Sequence, residues 1–195
     1  MRVKKQTFLF FLCFTAIGTF LHESGHALAA LLNGCKAVIH YSHTNYYCGD
    51  KQPTEAESLI MGLAGPFVNM LIGSIGFLLL RRSHKSGHRK NEVLLAVISF
   101  FWSREIVVLI ADLVLKPLWY PSASFSDEQR TSLLLFHNPF VFPALFGAAG
   151  MLLCGVTVCY FLKQENRLSF ILFGLLGSVV GYLFWFHFLG PVLLP

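Results

Sequence analysis

Two histidines and a glutamate lie inside an otherwise apolar stretch near the start of the chain, Thr19 to Leu32, TFLHESGHALAALL. Helical residues four positions apart share a face, so His22 and His26 can present nitrogens to one metal ion. Glu23 lies beside them, close enough to act on a water molecule, as in the H-E-x-x-H arrangement of zinc hydrolases. Because unused polar groups are costly in an apolar helix, the pattern predicts one Zn²⁺ per chain, with Glu23 as catalytic base.

The elements that must carry this site are membrane-spanning helices. The 195-residue chain is 55% hydrophobic and only 13% charged, which is unlike a soluble domain. A membrane-spanning helix needs roughly 20 apolar residues, and five stretches are long enough: Thr7 to Leu32, Leu59 to Leu80, Val93 to Leu115, Phe140 to Leu162 and Leu168 to Leu189. We therefore predict an all-α polytopic membrane protein, in which residues 1–195 form a single membrane-embedded domain.

The basic residues predict the orientation of these helices. Ten lie before the first span or in the second and fourth gaps, namely Arg2, Lys4, Lys5, Arg81, Arg82, Lys85, Arg89, Lys90, Lys163 and Arg167. The other two gaps hold four, Lys36, Lys51, Lys116 and Arg130. Since Lys and Arg are retained on the cytoplasmic side, we expect a cytoplasmic N terminus. The net charge of +5 is then explained by topology, and we expect the lipid bilayer, and no nucleic acid, as a partner.

The first gap predicts a short external hairpin. Cys35 and Cys48 bracket the segment KAVIHYSHTNYY, whose β-branched and aromatic residues favour strands. The charge distribution places this segment outside, where a disulfide can persist. A Cys35–Cys48 disulfide and two free thiols are both compatible with the sequence.

The second predicted span contains AGPFVN, Ala64 to Asn69, in a segment rich in small residues. Ala64 and Gly65 allow another backbone to approach closely, and Pro66 suits either a first helical turn or a kink. Asn69 lies four residues beyond Gly65, on the same face. Asn69 either makes an interhelical hydrogen bond or positions the substrate by contacting the substrate's carbonyl or peptide backbone.

These motifs together resemble those of the site-2 protease family of intramembrane zinc metalloproteases, the M50-like peptidases. HESGH in a transmembrane helix and AGPFVN are similar to the family's metal-binding and A-G-P-x-x-N motifs. SDEQR, with Asp127 and Arg130, resembles a late family motif preceded by prolines, here Pro117 and Pro121. The core resemblance covers Leu21 to Leu135, followed by two additional C-terminal spans.

The resemblance implies that Asp127 is the third zinc ligand, since a catalytic zinc takes three protein ligands and a water. Asp112 is the alternative third ligand, because a carboxylate inside a span is a functional candidate by default. For Asp112 there is also a structural interpretation, in which Glu105 lies on the same face and Arg104 neutralises part of that charge.

The resemblance implies an intramembrane zinc metalloprotease that hydrolyses peptide bonds of transmembrane protein substrates in or near the bilayer. The alternative function is that of a non-catalytic relative, which keeps the fold and binds or escorts other membrane proteins. Glu23 distinguishes the two, because a binding protein does not need a catalytic base.

Overall fold

A computed structural model describes residues 2–50, 52–87, 91–119 and 124–195, and the side chains of this part except those of Arg2 and Val3. Within these ranges five helical segments are long and apolar enough to cross a membrane: Lys4–Leu32, Glu55–Lys85, Glu92–Trp119, Val141–Phe161 and Gln164–Leu193. They correspond to the five predicted spans and confirm the predicted all-α fold. The protein is thus a multi-pass integral membrane protein.

The first two spans are long, uninterrupted helices, α1 (Arg2–Leu32) and α2 (Glu55–Lys85). Thr54 caps α2, because its side chain accepts a hydrogen bond from the Glu57 amide while the Glu57 carboxylate accepts one from the Thr54 amide. Pro66 lies inside α2 and not in its first turn, so the first-turn interpretation of this proline is wrong.

The third span is assembled from shorter pieces. It contains α3 (Glu92–Ser99), a 3₁₀ turn at Phe100–Trp102, α4 (Ser103–Ile110), a π-helical segment at Ala111–Leu115, and α5 (Lys116–Trp119). Such irregular turns inside a helix are often found at functional sites. Here they flank α4, the helix that carries Arg104 and Glu105.

The last part of the chain begins with a short helix that the sequence interpretation did not predict, α6 (Asp127–Phe136). The fourth span contains α7 (Val141–Val156) and a π-helical end at Thr157–Phe161. The fifth contains α8 (Gln164–Phe184), a π-helical segment at Trp185–Leu189 and α9 (Gly190–Leu193).

The predicted hairpin forms from two antiparallel strands, β1 (Lys36–Ile39) and β2 (Thr44–Tyr47), with Lys36 opposite Tyr47 and Ile39 opposite Thr44. A disulfide joins Cys35 to Cys48, which decides between the two possibilities left open by the sequence. The hairpin also reaches the end of the chain, since the Tyr41 amide donates to the Leu194 carbonyl at 3.0 Å. The hairpin and the C terminus therefore lie at the same end of the helix bundle.

Close helix packing holds the opposite end together. The first and fifth spans approach so closely that a Cβ atom on Gly177 would lie 2.5 Å from the Phe8 carbonyl oxygen. Phe11 and Phe170, both buried, make an edge-to-face ring contact in the hydrophobic core of this end. Small residues permit such backbone contact in a bilayer. Gly177 therefore allows α1 to pack directly against the fifth span.

Candidate metal centre

The second half of α1 supplies three polar side chains to the interior of the bundle. His22, Glu23 and His26 have relative exposures of 5%, 6% and 8%. The four-residue spacing of the histidines places both imidazoles on one face, and their Nε2 atoms are 3.1 Å apart.

Helix α6 brings Asp127 to this pair from more than a hundred residues away. Its Oδ2 atom lies 3.3 Å from His22 Nε2 and 3.2 Å from His26 Nε2. The three atoms form a nearly equilateral triangle. Among the described residues, this is the only group of three or more His, Cys, Asp or Glu side chains whose ligand atoms lie close enough together to hold a metal ion. The structure thus brings together the three side chains that the sequence predicted as ligands.

The size of this triangle fits a tetrahedral metal site. Nitrogen and oxygen ligands lie about 2.0–2.2 Å from Zn²⁺, and a tetrahedron of that radius has edges of roughly 3.3–3.6 Å. The observed separations of 3.1, 3.2 and 3.3 Å are close to these edges. Small outward movements would suffice to place the three atoms around one ion.

The hydrogen bond behind the His26 imidazole prepares its other nitrogen for a cation. His26 Nδ1 lies 2.6 Å from the Met61 carbonyl oxygen, which can only accept, so Nδ1 carries the hydrogen and the neutral ring presents a lone pair at Nε2. Arg104 Nη2 lies 3.1 Å from His22 Nε2 and can only donate. Two imidazole lone pairs and a carboxylate oxygen therefore converge, as a divalent metal ion requires. A metal ion bound to His22 Nε2 would replace the Arg104 hydrogen bond and release Nη2 toward the cavity.

Asp127 is held in its ionised form by the same neighbours. Burial opposes ionisation, but the hydrogen-bonding contacts with His22 and His26 outweigh it and keep the pKa of this carboxyl well below its usual range. Asp127 is also the first residue of α6, where the helix dipole favours a negative charge.

Glycine at position 65 provides the space for the two imidazoles. A Cβ atom there would lie 2.7 Å from His22 Cε1 and even closer to His26 Nε2. On α1, Gly25 directly precedes His26. A Cβ atom there would lie 2.6 Å from the Ala64 carbonyl oxygen of α2. The HESGH and AGPFVN motifs therefore form one interface, in which close backbone contact at Gly25 brings Gly65 against the ligand side chains.

Asp112, the alternative third ligand, is engaged elsewhere. Its Oδ2 atom accepts a 2.7 Å hydrogen bond from Ser126, and its Oδ1 atom lies 2.7 Å from Lys116 Nζ. Ser126 is the N-cap of α6, and Gln129 completes the capping box. Asp112 thus supports the start of the helix that carries Asp127, and it does not lie beside the two histidines.

Glu23 has a partner that the sequence did not indicate. The Thr44 hydroxyl lies 2.9 Å from Glu23 Oε2 and 2.9 Å from the Glu23 carbonyl oxygen, so it contacts both acceptors with one hydrogen. Thr44 belongs to β2, in the hairpin closed by the disulfide. The hairpin therefore restrains one carboxylate oxygen of Glu23, and no described residue hydrogen-bonds to its Oε1 atom.

A buried charge cluster lies on the other side of His22. Arg104 Nη1 donates to Glu105 Oε1 at 3.0 Å and to Glu128 Oε1. The structure thus pairs Arg104 with Glu105, as the structural interpretation of the third span expected, but the further partner is Glu128 and not Asp112. Glu128 was missed because α6 was not predicted. The capping pattern of Ser126 and Gln129 was the signal that could have revealed this helix.

A mostly apolar cavity of about 680 Å³ adjoins the site. His22, Glu23 and Asp127 line one part of it, and most of the other lining residues come from α1, the third span and α8. Asn69 also lines the cavity, and it is only 2% exposed. Within the described part of the chain its Oδ1 atom has no hydrogen-bond partner, so that oxygen does not make the interhelical bond that was one of its two predicted roles.

None of the other described histidines belongs to the metal group. His40 Nδ1 contacts the Pro195 carbonyl oxygen, His84 packs against the Phe161 ring, and His137 caps α6 in a left-handed conformation. His88 and Pro121, the second proline of the late motif, fall outside the described residues.

The Gly65 contact predicts that Gly65→Ala weakens metal binding while the fold survives. The added methyl group displaces flexible imidazoles more easily than backbone, so the ligand atoms move apart. We expect Zn²⁺ affinity to fall by about 10-fold or more, as for other changes that misorient ligands, in competition with a chelating dye. Gly155→Ala is the matched control, because a Cβ atom at Gly155 meets nothing within 4 Å. Equal affinities in the two variants would contradict this role of Gly65.

Comparison with known proteins supports the same family as the motifs. The family model described as Peptidase M50B-like matches residues 6–137, which include all but the start of α1, the hairpin, α2, the third span and α6. Comparisons with curated proteins and with solved structures gave no match. The matched region contains all three side chains of the metal group, and the chain belongs to the M50B-like family of site-2-protease-like membrane proteins.

Proposed function

We propose that the protein is a zinc metalloprotease that hydrolyses peptide bonds of transmembrane proteins in or near the bilayer. The observation that carries the proposal is the convergence of His22, His26 and Asp127 within 3.3 Å of one another, beside a cavity that also contains Glu23. Zinc held by these residues would lower the pKa of a water molecule toward about 7 and polarise the substrate carbonyl.

The role of Glu23 in this reaction is to move a proton. Because Thr44 occupies its Oε2 atom, Oε1 accepts the proton of the attacking water. The same oxygen then returns the proton to the nitrogen of the leaving amine. A carboxylate that is 6% exposed and restrained by a hydrogen bond is well suited to this transfer, because it needs little reorientation.

The cavity is suited to a transmembrane substrate segment that has lost part of its helical structure. Cavity-lining residues of α8, Leu175, Val179 and Tyr182, are 67%, 51% and 52% exposed, so this wall is continuous with the lipid-facing surface of the bundle. A helix buries its own amide groups and must unwind before one can be cleaved. The Asn69 oxygen, to which none of the described residues donates, offers an acceptor for an amide hydrogen of the unwound segment.

We also propose a cytoplasmic N terminus, which places the metal centre toward the opposite face of the membrane. Lys4 contacts the ring of Phe173, so the basic starts of α1 and α8 lie together. The disulfide-closed hairpin lies at the other end, beside the C terminus. Basic residues at one end and a disulfide at the other both support this orientation.

The catalytic role of Glu23 predicts that Glu23→Gln abolishes cleavage but preserves the metal. Glutamine keeps the size of the side chain and can still accept from Thr44, but it cannot take a proton from water. We expect cleavage of a reconstituted transmembrane substrate to fall by about 10²- to 10⁴-fold at unchanged zinc content and helicity. Equal cleavage by both proteins would contradict this role. A zinc-loaded wild type that cleaves none of many substrates would favour the binding or escort function.

The orientation predicts where an attached enzyme is active. Alkaline phosphatase fused after Pro195 should be active, because it folds only in an oxidising compartment, and the same enzyme fused after Lys85 should be inactive. The second fusion is the matched control, since α2 ends at Lys85 at the basic end of the bundle. Activity of only the Lys85 fusion would reverse the proposed orientation.

A further inference from the structure

The part of the cavity next to the metal group contains a cation with no role in the proposed proton transfer. Arg104, from α4, lines the cavity together with His22, Glu23 and Asp127. Its Nη2 atom is 3.1 Å from His22 Nε2 and 3.9 Å from Asp127 Oδ2. A guanidinium group therefore lies immediately beside the position where the three ligand atoms converge.

Two buried carboxylates fix this guanidinium from behind. Glu105 and Glu128 both contact Nη1, the nitrogen that does not face His22. Their side chains are 1% and 0% exposed, whereas that of Arg104 is 29% exposed. The two acids are thus buried in the protein interior, and Arg104 is the member of the cluster that lines the cavity.

The cost of the cluster argues against a purely structural role. In the described part of the chain, one oxygen of Glu105 and one of Glu128 are buried without a hydrogen-bond partner. A buried ion cluster is often less stabilising than apolar residues of the same volume, and charges inside a membrane protein mark functional sites. A rigidly held guanidinium that faces a cavity is, in contrast, what stabilisation of a developing negative charge requires.

We propose that Arg104 is a catalytic residue, whose Nη2 atom donates a hydrogen bond to the carbonyl oxygen of the peptide bond being cleaved. This inference rests on the proposed protease function. As the water oxygen bonds to the carbonyl carbon, the carbonyl π electrons move to the oxygen, and Glu23 takes the water proton. When the carbonyl re-forms, the carbon–nitrogen bond breaks and the nitrogen receives that proton. Arg104 stabilises the negative oxygen between these steps and exchanges no proton.

The proposal predicts that Arg104→Gln lowers kcat much more than it raises KM. The interaction is strongest when the oxygen is negatively charged, so its loss affects the transition state and not substrate binding. We expect kcat to fall by about 10²- to 10³-fold at one zinc per chain. Arg104→Lys should be intermediate, because a single ammonium cannot hold the two acids and also face the cavity. Arg130 is an exposed arginine of α6, and Arg130→Gln is the control. Its kcat and KM should match those of the wild type.

A measurement that does not depend on turnover uses a peptidyl phosphonate, whose tetrahedral anion resembles the charged oxygen. Arg104→Gln should weaken phosphonate binding to the zinc-loaded protein by about 10-fold or more, but binding of the uncharged parent peptide by less than about 3-fold. If Arg104→Gln fails to fold because the two acids lose their partner, the variant that also carries Glu105→Gln and Glu128→Gln removes the whole cluster and serves the same test.

Unchanged kcat and unchanged phosphonate affinity at full zinc content would overturn the assignment. Loss of zinc from Arg104→Gln would also overturn it, because Arg104 would then support the ligands. A wild type that binds zinc and cleaves none of many substrates would count against the protease function and favour the binding or escort function. The phosphonate comparison would still decide whether Arg104 binds an anion at this position.

Discussion

The close approach of α1 and α2 is the contact on which the metal group depends. At Gly25 the backbone of α2 lies so near that even a methyl group would collide with the Ala64 carbonyl oxygen, and Gly65 leaves just enough space for two imidazoles. A bilayer provides no hydrophobic force between apolar helices, so small residues and interhelical hydrogen bonds must hold them together. The His26 contact with the Met61 carbonyl is such a bond, and it also orients a ligand.

Each polar side chain at the centre is restrained by a different part of the chain. The hairpin holds Glu23 through Thr44, the third span supplies Arg104 and Glu105, and Asp112 fixes the start of α6 through Ser126. In a low-dielectric interior an unpartnered polar group is costly, and a rigid polar network is correspondingly effective. The proposed chemistry therefore depends on residues spread over most of the bundle and not on the HESGH segment alone.

The sequence predicted what depends on local pattern. Apolar runs revealed the five spans, β-branched and aromatic residues between two cysteines revealed the hairpin, and helical spacing paired His22 with His26. Asp127 was reached only through a family resemblance, because no local signal shows that a residue more than a hundred positions away meets α1. Thr44 was missed for the same reason, since its contact with Glu23 depends on tertiary packing, whereas Glu128 was missed because the capping signal of α6 was not used. Asp112 remained an alternative until the structure showed its bonds to Ser126 and Lys116.

Binding of one zinc ion by His22, His26 and Asp127 can be measured by X-ray absorption at the zinc edge of the purified protein. We expect one zinc per chain with about four nitrogen or oxygen neighbours at roughly 2.0–2.2 Å, including the scattering pattern of two imidazoles. The His22→Ala, His26→Ala double variant should lose the metal while it keeps its helices. Full zinc content in that folded variant, or sulfur neighbours at about 2.3 Å, would show that these three side chains are not the ligands.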